Sequence, residues 1–336
     1  MVTIADVAQK AGVSISTVSY VMSGKRAISQ KTRDRVQVAI ADLGFSPHAG
    51  ARSLASRSSN VIGLQAPLRT GVDVHVIMQI VTGVVTQART HGYDILLLTS
   101  EDASALDRAA RGSQVDALLV MDVESDDPRI GALTDLPQPS VLIGLPAGAD
   151  GIPCVDFDFE AAGKLAVARL AAQGHRRVAL IGSPAEVLQR HTSYADRLVR
   201  GFLSACAEAG ISGTVHPCPS GADASRIVDE VVAADPGLTG FLVHNEAALP
   251  YVTARLVAHG QRRAQALGII ALCPDNIAQA VPHPIDSIDV PAEEIGSTAA
   301  DLLCTLLAGG EAPAVRLLEP HLTVRTGAAG VTGVTA

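Results

Sequence analysis

From Val61 to Leu307 short apolar runs alternate with stretches in which apolar residues return every third or fourth position. The runs VIGLQA (61–66), DILLLT (94–99), ALLVM (117–121), SVLIG (140–144), RVALIG (177–182), GFLVH (240–244) and LGIIAL (267–272) predict strands. Helical spacing falls between them at 74–91, 159–173, 196–209, 246–259 and 292–307. Strand and helix in alternation predict parallel α/β sheets. The length of this part fits two doubly wound sheets, whose ligands bind outside the carboxyl ends of the strands, here where two lobes would face each other.

The first sixty residues follow another pattern. In TIADVAQKAG, Thr3 is placed to cap a helix with Asp6 three residues on, and Ile4, Val7, Ala8 and Ala11 make one apolar stripe. Gly12 stops it. Ser14 is a second cap, and Thr17, Val18, Val21 and Met22 carry the next helix. Two short helices joined at a glycine predict a helix-turn-helix. A third helix is predicted in SQKTRDRVQVAIADLG, capped by Ser29, with Val36, Ile40 and Leu43 facing inward and Lys31, Arg33 and Arg35 outward. Ser46 and Pro47 then open a segment of about two turns in which Gly50 costs roughly 1 kcal/mol of helix propensity, so that helix is marginal alone.

Charge separates the two parts. The chain of 336 residues carries a net −8, yet residues 1–60 hold eight cations and three acids, or +5, and the other 18 cations and 31 acids leave −13. A basic head on an acidic body suits a head that meets a polyanion, although a solvated basic face would carry the same charge. With 48% apolar and 18% charged residues the composition is that of a soluble globular protein. No run approaches the roughly 18 apolar residues of a membrane span, and Asp6, Gln9 and Lys10 interrupt any leader, so a cytoplasmic protein with no membrane partner is expected. Cys154, Cys206, Cys218, Cys273 and Cys304 are widely spaced, without the clustering zinc needs, and no metal or cofactor is expected. GxSxG, Walker, GxGxxG and HExxH motifs are absent; no catalytic residue and no enzyme is expected.

A recognition helix puts its N-terminal side chains on base edges in the major groove while hydroxyls and amides hold phosphates. Ile15, Ser16 and Tyr20 lie away from the Val18/Val21/Met22 side and are the base-reading candidates. Ser14, Thr17 and Ser19 suit phosphate bonding or capping, and Thr3 and Ser29, at the other caps, join the DNA-facing candidates. Were the segment after Pro47 to order on DNA, Leu54 would be placed as an apolar wedge in the minor groove.

The stretch TIADVAQKAGVSISTVSYVMSGKRAISQKTRDRVQVAIADLGFSPHAGARSLA resembles the headpiece and hinge of the LacI/GalR family of bacterial transcription regulators. DFDFEAAGKLAVARLAAQGHRRVALIG and EPHLTVRTGA resemble segments of the family's sugar-binding-protein-like core. The resemblance implies a small all-α helix-turn-helix headpiece (1–46), a hinge helix and linker (47–60), and an α/β core of two doubly wound parallel-sheet lobes, periplasmic-binding-protein-like, with a first lobe at 61–157 and 290–310 and a second at 158–289 and 311–330. It implies a homodimer on pseudo-palindromic double-stranded DNA, with paired hinge helices inserting Leu54. It also implies a regulator, expected to be a repressor, controlled by a small-molecule effector, a sugar or sugar derivative. The competing reading is a solute-binding or enzymatic α/β protein. Family effector positions fall on Asn245, Asp275 and Arg197, the last one residue displaced, while LIGLPAG lacks the aspartate that several members place after the fourth strand. His75 stands near the same cleft. The terminal GAAGVTGVTA has no heptads, so a dimer and not a coiled-coil tetramer is expected.

Tyr20 stands where many family members have arginine. Tyr20→Ala is therefore expected to reorder preference among operator variants in binding titrations on a duplex set; equal weakening on every duplex would reduce Tyr20 to a positioning role.

Overall fold

The computed structural model describes residues 2–23, 26–45, 58–66, 68–69, 73–263 and 266–325. Leu54 and the expected hinge helix lie outside them.

In the head, α1 (Ile4–Ala11) starts in a closed capping box: the Thr3 N–H donates to Asp6 at 2.8 Å and the Asp6 N–H to Thr3 Oγ1 at 3.4 Å. Gly12, at φ +64°, ends it in the left-handed conformation. Helices α2 (Ile15–Ser23) and α3 (Gln30–Leu43) complete a three-helix unit around Val7, Ala11, Val18, Val36 and Ala39. Arg35 does not stand free on the outer face. Its guanidinium caps the end of α1 through the carbonyls of Ala11 and Gly12.

Among the described residues the body holds two six-stranded sheets. The first runs β11 (Val315–Leu318), β5 (Cys154–Phe157), β4 (Ser140–Ile143), β3 (Ala117–Val120), β1 (Val61–Gln65), β2 (Asp94–Leu98), all parallel. The second runs β12 (Leu322–Thr323), β10 (Asp286–Asp289), β9 (Gly268–Cys273), β8 (Gly240–Val243), β6 (Arg177–Gly182), β7 (Ser212–Pro217), parallel except for β12. Both faces of each sheet are covered, which is why the central strands are continuously apolar. In the first lobe α4 (Val74–Thr90) and α13 (Ala292–Leu307) cover one face, and α5 (Ala103–Arg111), with the short α6 (Ile130–Thr134), the other. In the second, α7 (Phe159–Ala172) and α9 (Ser193–Glu208), with the short α8 (Ala185–Gln189) between them in the chain, lie opposite α10 (Ala224–Ala234) and α11 (Leu249–Arg263).

One boundary differs from expectation. The resemblance places residues 311–330 whole in the second lobe, but Val315–Leu318 pairs in parallel with Cys154–Phe157 in the first sheet, and only Leu322–Thr323 joins the second. The reason is an edge: β5 has an open side that β11 fills. The chain thus crosses between lobes after β5, after β10 and after β11.

Helices touch backbone to backbone at one crossing in each lobe. A Cβ on Gly83 of α4 would lie 2.0 Å from the Glu293 carbonyl oxygen, and one on Gly296 of α13 2.0 Å from that of Ile80. In the second lobe, Gly201 of α9 stands 2.1 Å from the Glu160 oxygen by the same measure, and Gly163 of α7 2.7 Å from the Phe202 nitrogen.

The segment entering β1 is clasped by Asp116, the residue before β3. Its carboxylate accepts from Ser58 Oγ at 2.5 Å, Ser59 N at 2.7 Å, Ser59 Oγ at 2.9 Å and Asn60 N at 2.8 Å. Burial raises the Asp116 pKa, but these hydrogen bonds outweigh it and hold the carboxyl below its ordinary range.

Gly296→Ala is expected to lower unfolding stability by about 2–3 kcal/mol, because backbone must move to admit the methyl group. Gly131→Ala, in the open on α6 with nothing near its Cβ, is the matched control and should be neutral or stabilising by about 0.5 kcal/mol; chemical denaturation of both variants checks the pair.

Candidate functional site

Helix α2 buries Val18 and turns Ile15 (51% exposed), Ser16 and Tyr20 (37%) outward. The Ser14 hydroxyl accepts the Thr17 N–H at 3.1 Å and bonds Thr17 Oγ1 at 2.8 Å. Thr3 and Ser29 likewise cap α1 and α3, so these hydroxyls hold helix ends and keep only spare bonding capacity for a phosphate. Ser19 sits half-buried on the same helix. One neighbour was not foreseen: the Arg26 guanidinium carbon lies 5.7 Å from the centre of the Tyr20 ring, which puts a cation beside the outward face of α2.

A cleft of the body opens between the two sheets. It holds about 1020 Å³ counted to its open mouth. Its first-lobe wall comes from the residues just past β1, β3 and β4 (Ala66, Met121–Val123, Gly144) and from the start of α4 (Asp73, Val76, Ile77). Its second-lobe wall comes from the residues past β6 and β8 (Ser183, Pro184, His244–Glu246), with Phe159 and Tyr194 from the starts of α7 and α9. Carboxyl ends of parallel strands thus face each other, the place where doubly wound sheets leave room for ligands.

Three rings line this space. Phe159 and Tyr194 are 5.4 Å apart centre to centre, Phe159 and His244 5.6 Å, and Tyr194 and His244 5.7 Å edge to face. Burial drives the His244 pKa down to about 4, so its imidazole is neutral, and its Nδ1 has no hydrogen-bond partner among the described residues. Asp122, at φ +53°, sits between Arg69 (3.3 Å) and Arg190 (3.5 Å), and burial keeps its pKa raised against their pull. Arg190 belongs to the second lobe, so this ion pair joins the lobes. Beside it the Ser125 N–H donates to the His191 carbonyl at 2.7 Å, the Ser193 N–H to the Val123 carbonyl at 2.9 Å, and Ser125 Oγ to Asp196 at 2.7 Å. Residues 122–125 and 190–196 form a latch along one side of the cleft.

Of the three expected effector residues, one reaches the wall. Asn245 lines the cleft, but its Nδ2 donates to the Cys218 carbonyl at 2.8 Å and its Oδ1 accepts the Ala248 N–H at 3.2 Å. Arg197 is buried behind the wall. Its Nη1 donates to Asp156 at 2.6 Å and its Nη2 to the Phe157 carbonyl at 3.3 Å. Asp156 itself faces the cleft; burial pushes its pKa up to about 6 although Arg197 pulls it down. Asp275, at the start of α12 (Asp275–Gln279), pairs with Arg325 and accepts from Gln279, and is not among the residues that line the cleft. His75 is exposed outside the lining. The residues that do line it and carried no expectation are Asp73, Asp122, Asp156, Phe159, Tyr194, His244 and Glu246. A usable signal existed for several: Asp122, His244 and Glu246 stand at or just past the ends of predicted strands, where site residues of such sheets collect. Among the described residues no group of three or more metal-ligating side chains is present. The cysteines are free and buried, and burial raises Cys154, Cys206 and Cys218 to about 11.

Residues 3–48 match the model of "Bacterial regulatory proteins, lacI family" and residues 167–327 that of a "Periplasmic binding protein-like domain". The "HTH-type transcriptional repressor PurR" of Erwinia tasmaniensis is 31% identical over 320 residues, spanning 90% of this chain and 89% of the relative. The chain belongs to the LacI family. It is a DNA-binding transcriptional regulator, and its head is the family's helix-turn-helix. Another LacI-family relative, "HTH-type transcriptional regulator CelR" of Thermobifida fusca, is 29% identical over 343 residues, 96% of this chain and 97% of that one. In fold the chain is similar to the lac repressor dimer bound to operator and the anti-inducer ONPF (TM-score 0.80, 23% identity, 96% of this chain and 98% of that one). It is also similar to a CelR–cellobiose complex (TM-score 0.65, 24% identity, 98% of this chain and 100% of that one).

Arg197→Met leaves Asp156 buried without its cation and is expected to cost about 3–5 kcal/mol in urea unfolding. Adding Asp156→Asn should restore much of that loss. A double variant as unstable as the single one would mean that the pair is not what the stability depends on.

Proposed function

We propose that this LacI-family regulator is a repressor whose hold on a pseudo-palindromic operator is set by a carbohydrate bound between its lobes. The observation that carries the reading is the cleft itself, walled by strand ends of both lobes, so that a ligand filling it touches both and favours one relative arrangement of them. Aromatic faces at Phe159 and Tyr194 and acceptors at Asp73 and Glu246 suit the apolar faces and hydroxyls of a sugar. The CelR–cellobiose complex, similar in fold, and the PurR relative, named a repressor, support the same choice by likeness.

Ile15, Ser16 and Tyr20 are assigned to base edges. Ser14, Thr17, Ser19, Thr3 and Ser29, with Arg26, are assigned to the backbone, and Leu54 to the minor-groove wedge. The functional unit is a homodimer. Val74, Met78 and Val85 make an exposed apolar stripe along α4, with Leu97 exposed on β2, a surface that a second copy would cover. Coupling runs through the latch: a ligand that shifts residues 122–125 against 190–196 moves the first lobe, whose strand β1 takes up the segment from the head. A typical coupling of about 1–3 kcal/mol, a factor of roughly 5 to 150 in operator affinity, is enough for regulation. The cleft binds and does not catalyse, and the regulator works in the cytoplasm, where its DNA is.

Fluorescence anisotropy on the DNA upstream of its own gene, titrated with sugars, sugar phosphates and nucleosides, tests the reading. Binding to a palindromic duplex at moderate salt, changed at least about fivefold by a sugar, is the expected result. Failure to bind any palindromic duplex overturns the operator assignment, and a nucleoside response without a sugar response overturns the carbohydrate one.

A further inference from the structure

The charges around the cleft do not balance. Asp73, Asp122, Asp156 and Glu246 present carboxylates to it, and no lysine or arginine is among its described lining residues. Two of the four are answered from behind the wall, Asp156 by Arg197 at 2.6 Å and Asp122 by Arg69 at 3.3 Å and Arg190 at 3.5 Å. For Asp73 and Glu246 no ion pair is formed with the described residues. Asp73 caps α4 in the first lobe, accepting the His75 N–H at 2.8 Å, and Glu246 follows β8 in the second, so the two come to the cleft from opposite lobes. Burial and then the charge of Asp73 push Glu246 up to about 7, against a bond from its own N–H. A second observation points the same way. His244, 6% exposed on the same wall, keeps an Nδ1 without a partner among the described residues, a buried group that a ligand would satisfy.

An anion entering this space meets Asp73, which no cation among the described residues answers, and drives Glu246 still further toward its neutral form, in apolar surroundings that screen little. A hydroxyl or ammonium placed between them relieves both through charge-assisted hydrogen bonds. The groups that would greet a phosphate or an acidic sugar are engaged: Arg197 with Asp156, and Asn245 Nδ2 with the Cys218 carbonyl. We infer that the effector is a carbohydrate without an anionic group, which sets a hydroxyl or ammonium donor between Asp73 and Glu246, and that this pair keeps phosphorylated and acidic sugars out. The inference rests on the carbohydrate reading and narrows it.

The test uses the full chain, with thermal shift and calorimetric titration against cellobiose, maltose, glucose, glucosamine, glucose 6-phosphate and glucuronate at millimolar concentration. Binders are expected among the first four only. Asp73→Asn with Glu246→Gln, near-isosteric changes, should cost the best binder about tenfold or more in affinity or admit an anionic sugar. Circular dichroism shows whether the pair is folded, and Glu246→Gln alone stands in if it is not. An anionic sugar bound by the wild type, or variants that bind the panel as the wild type does, overturns the inference. A protein that binds operator DNA but no sugar of any charge overturns the carbohydrate reading, and the inference falls with it.

Discussion

Two helix crossings made of bare backbone set the geometry of the body. Where α4 meets α13 and where α7 meets α9, glycines bring the main chains closer than any side chain permits. The starts of these same helices furnish the cleft: Asp73 and Ile77 at the start of α4, Ile295 from α13, Phe159 from α7 and Tyr194 from α9. Interiors packed at crystal-like density transmit small displacements instead of absorbing them. Each wall is therefore a stiff body, and the freedom left to the molecule is motion of one lobe against the other.

Much of this was legible in the sequence because the physical signals were local. Caps at Thr3, Ser14 and Ser29 are written in neighbouring residues, and the head follows from them. The central strands are apolar because helices cover both sides. The strands that escaped are those whose environment is set by distant partners. In β10, DSID looks polar, yet Asp286 and Ser287 are fully buried, with Arg169 on Asp286 at 2.8 Å and Arg325 on both. In β7 the half-exposed SGTVHP lies at a sheet edge, where glycine and proline are tolerated. The return of β11 to the first sheet is a long-range pairing that no local pattern carries.

The site was legible in position and not in content. Strand ends pointed to the cleft, but which polar groups stay available there depends on who else bonds them. Arg197, Asn245 and Asp275 each have the chemistry to hold a hydroxylated ligand, and each is engaged, by Asp156, by Cys218 and by Arg325. A buried polar group is satisfied first by the protein, and only the remainder is offered to a ligand. What remains faces the cleft as acceptors and aromatic rings.

The clasp of Asp116 on Ser58, Ser59 and Asn60 has a consequence for how such chains are assembled. It marks where the core begins to hold its own incoming strand, ahead of β1 and independent of any base read by the head. Material joined upstream of Ser58 inherits a fixed point of attachment, whatever its own fold. A join made upstream of Ser58 leaves the clasp whole, whereas one made three residues later takes Ser58, Ser59 and Asn60 out of it.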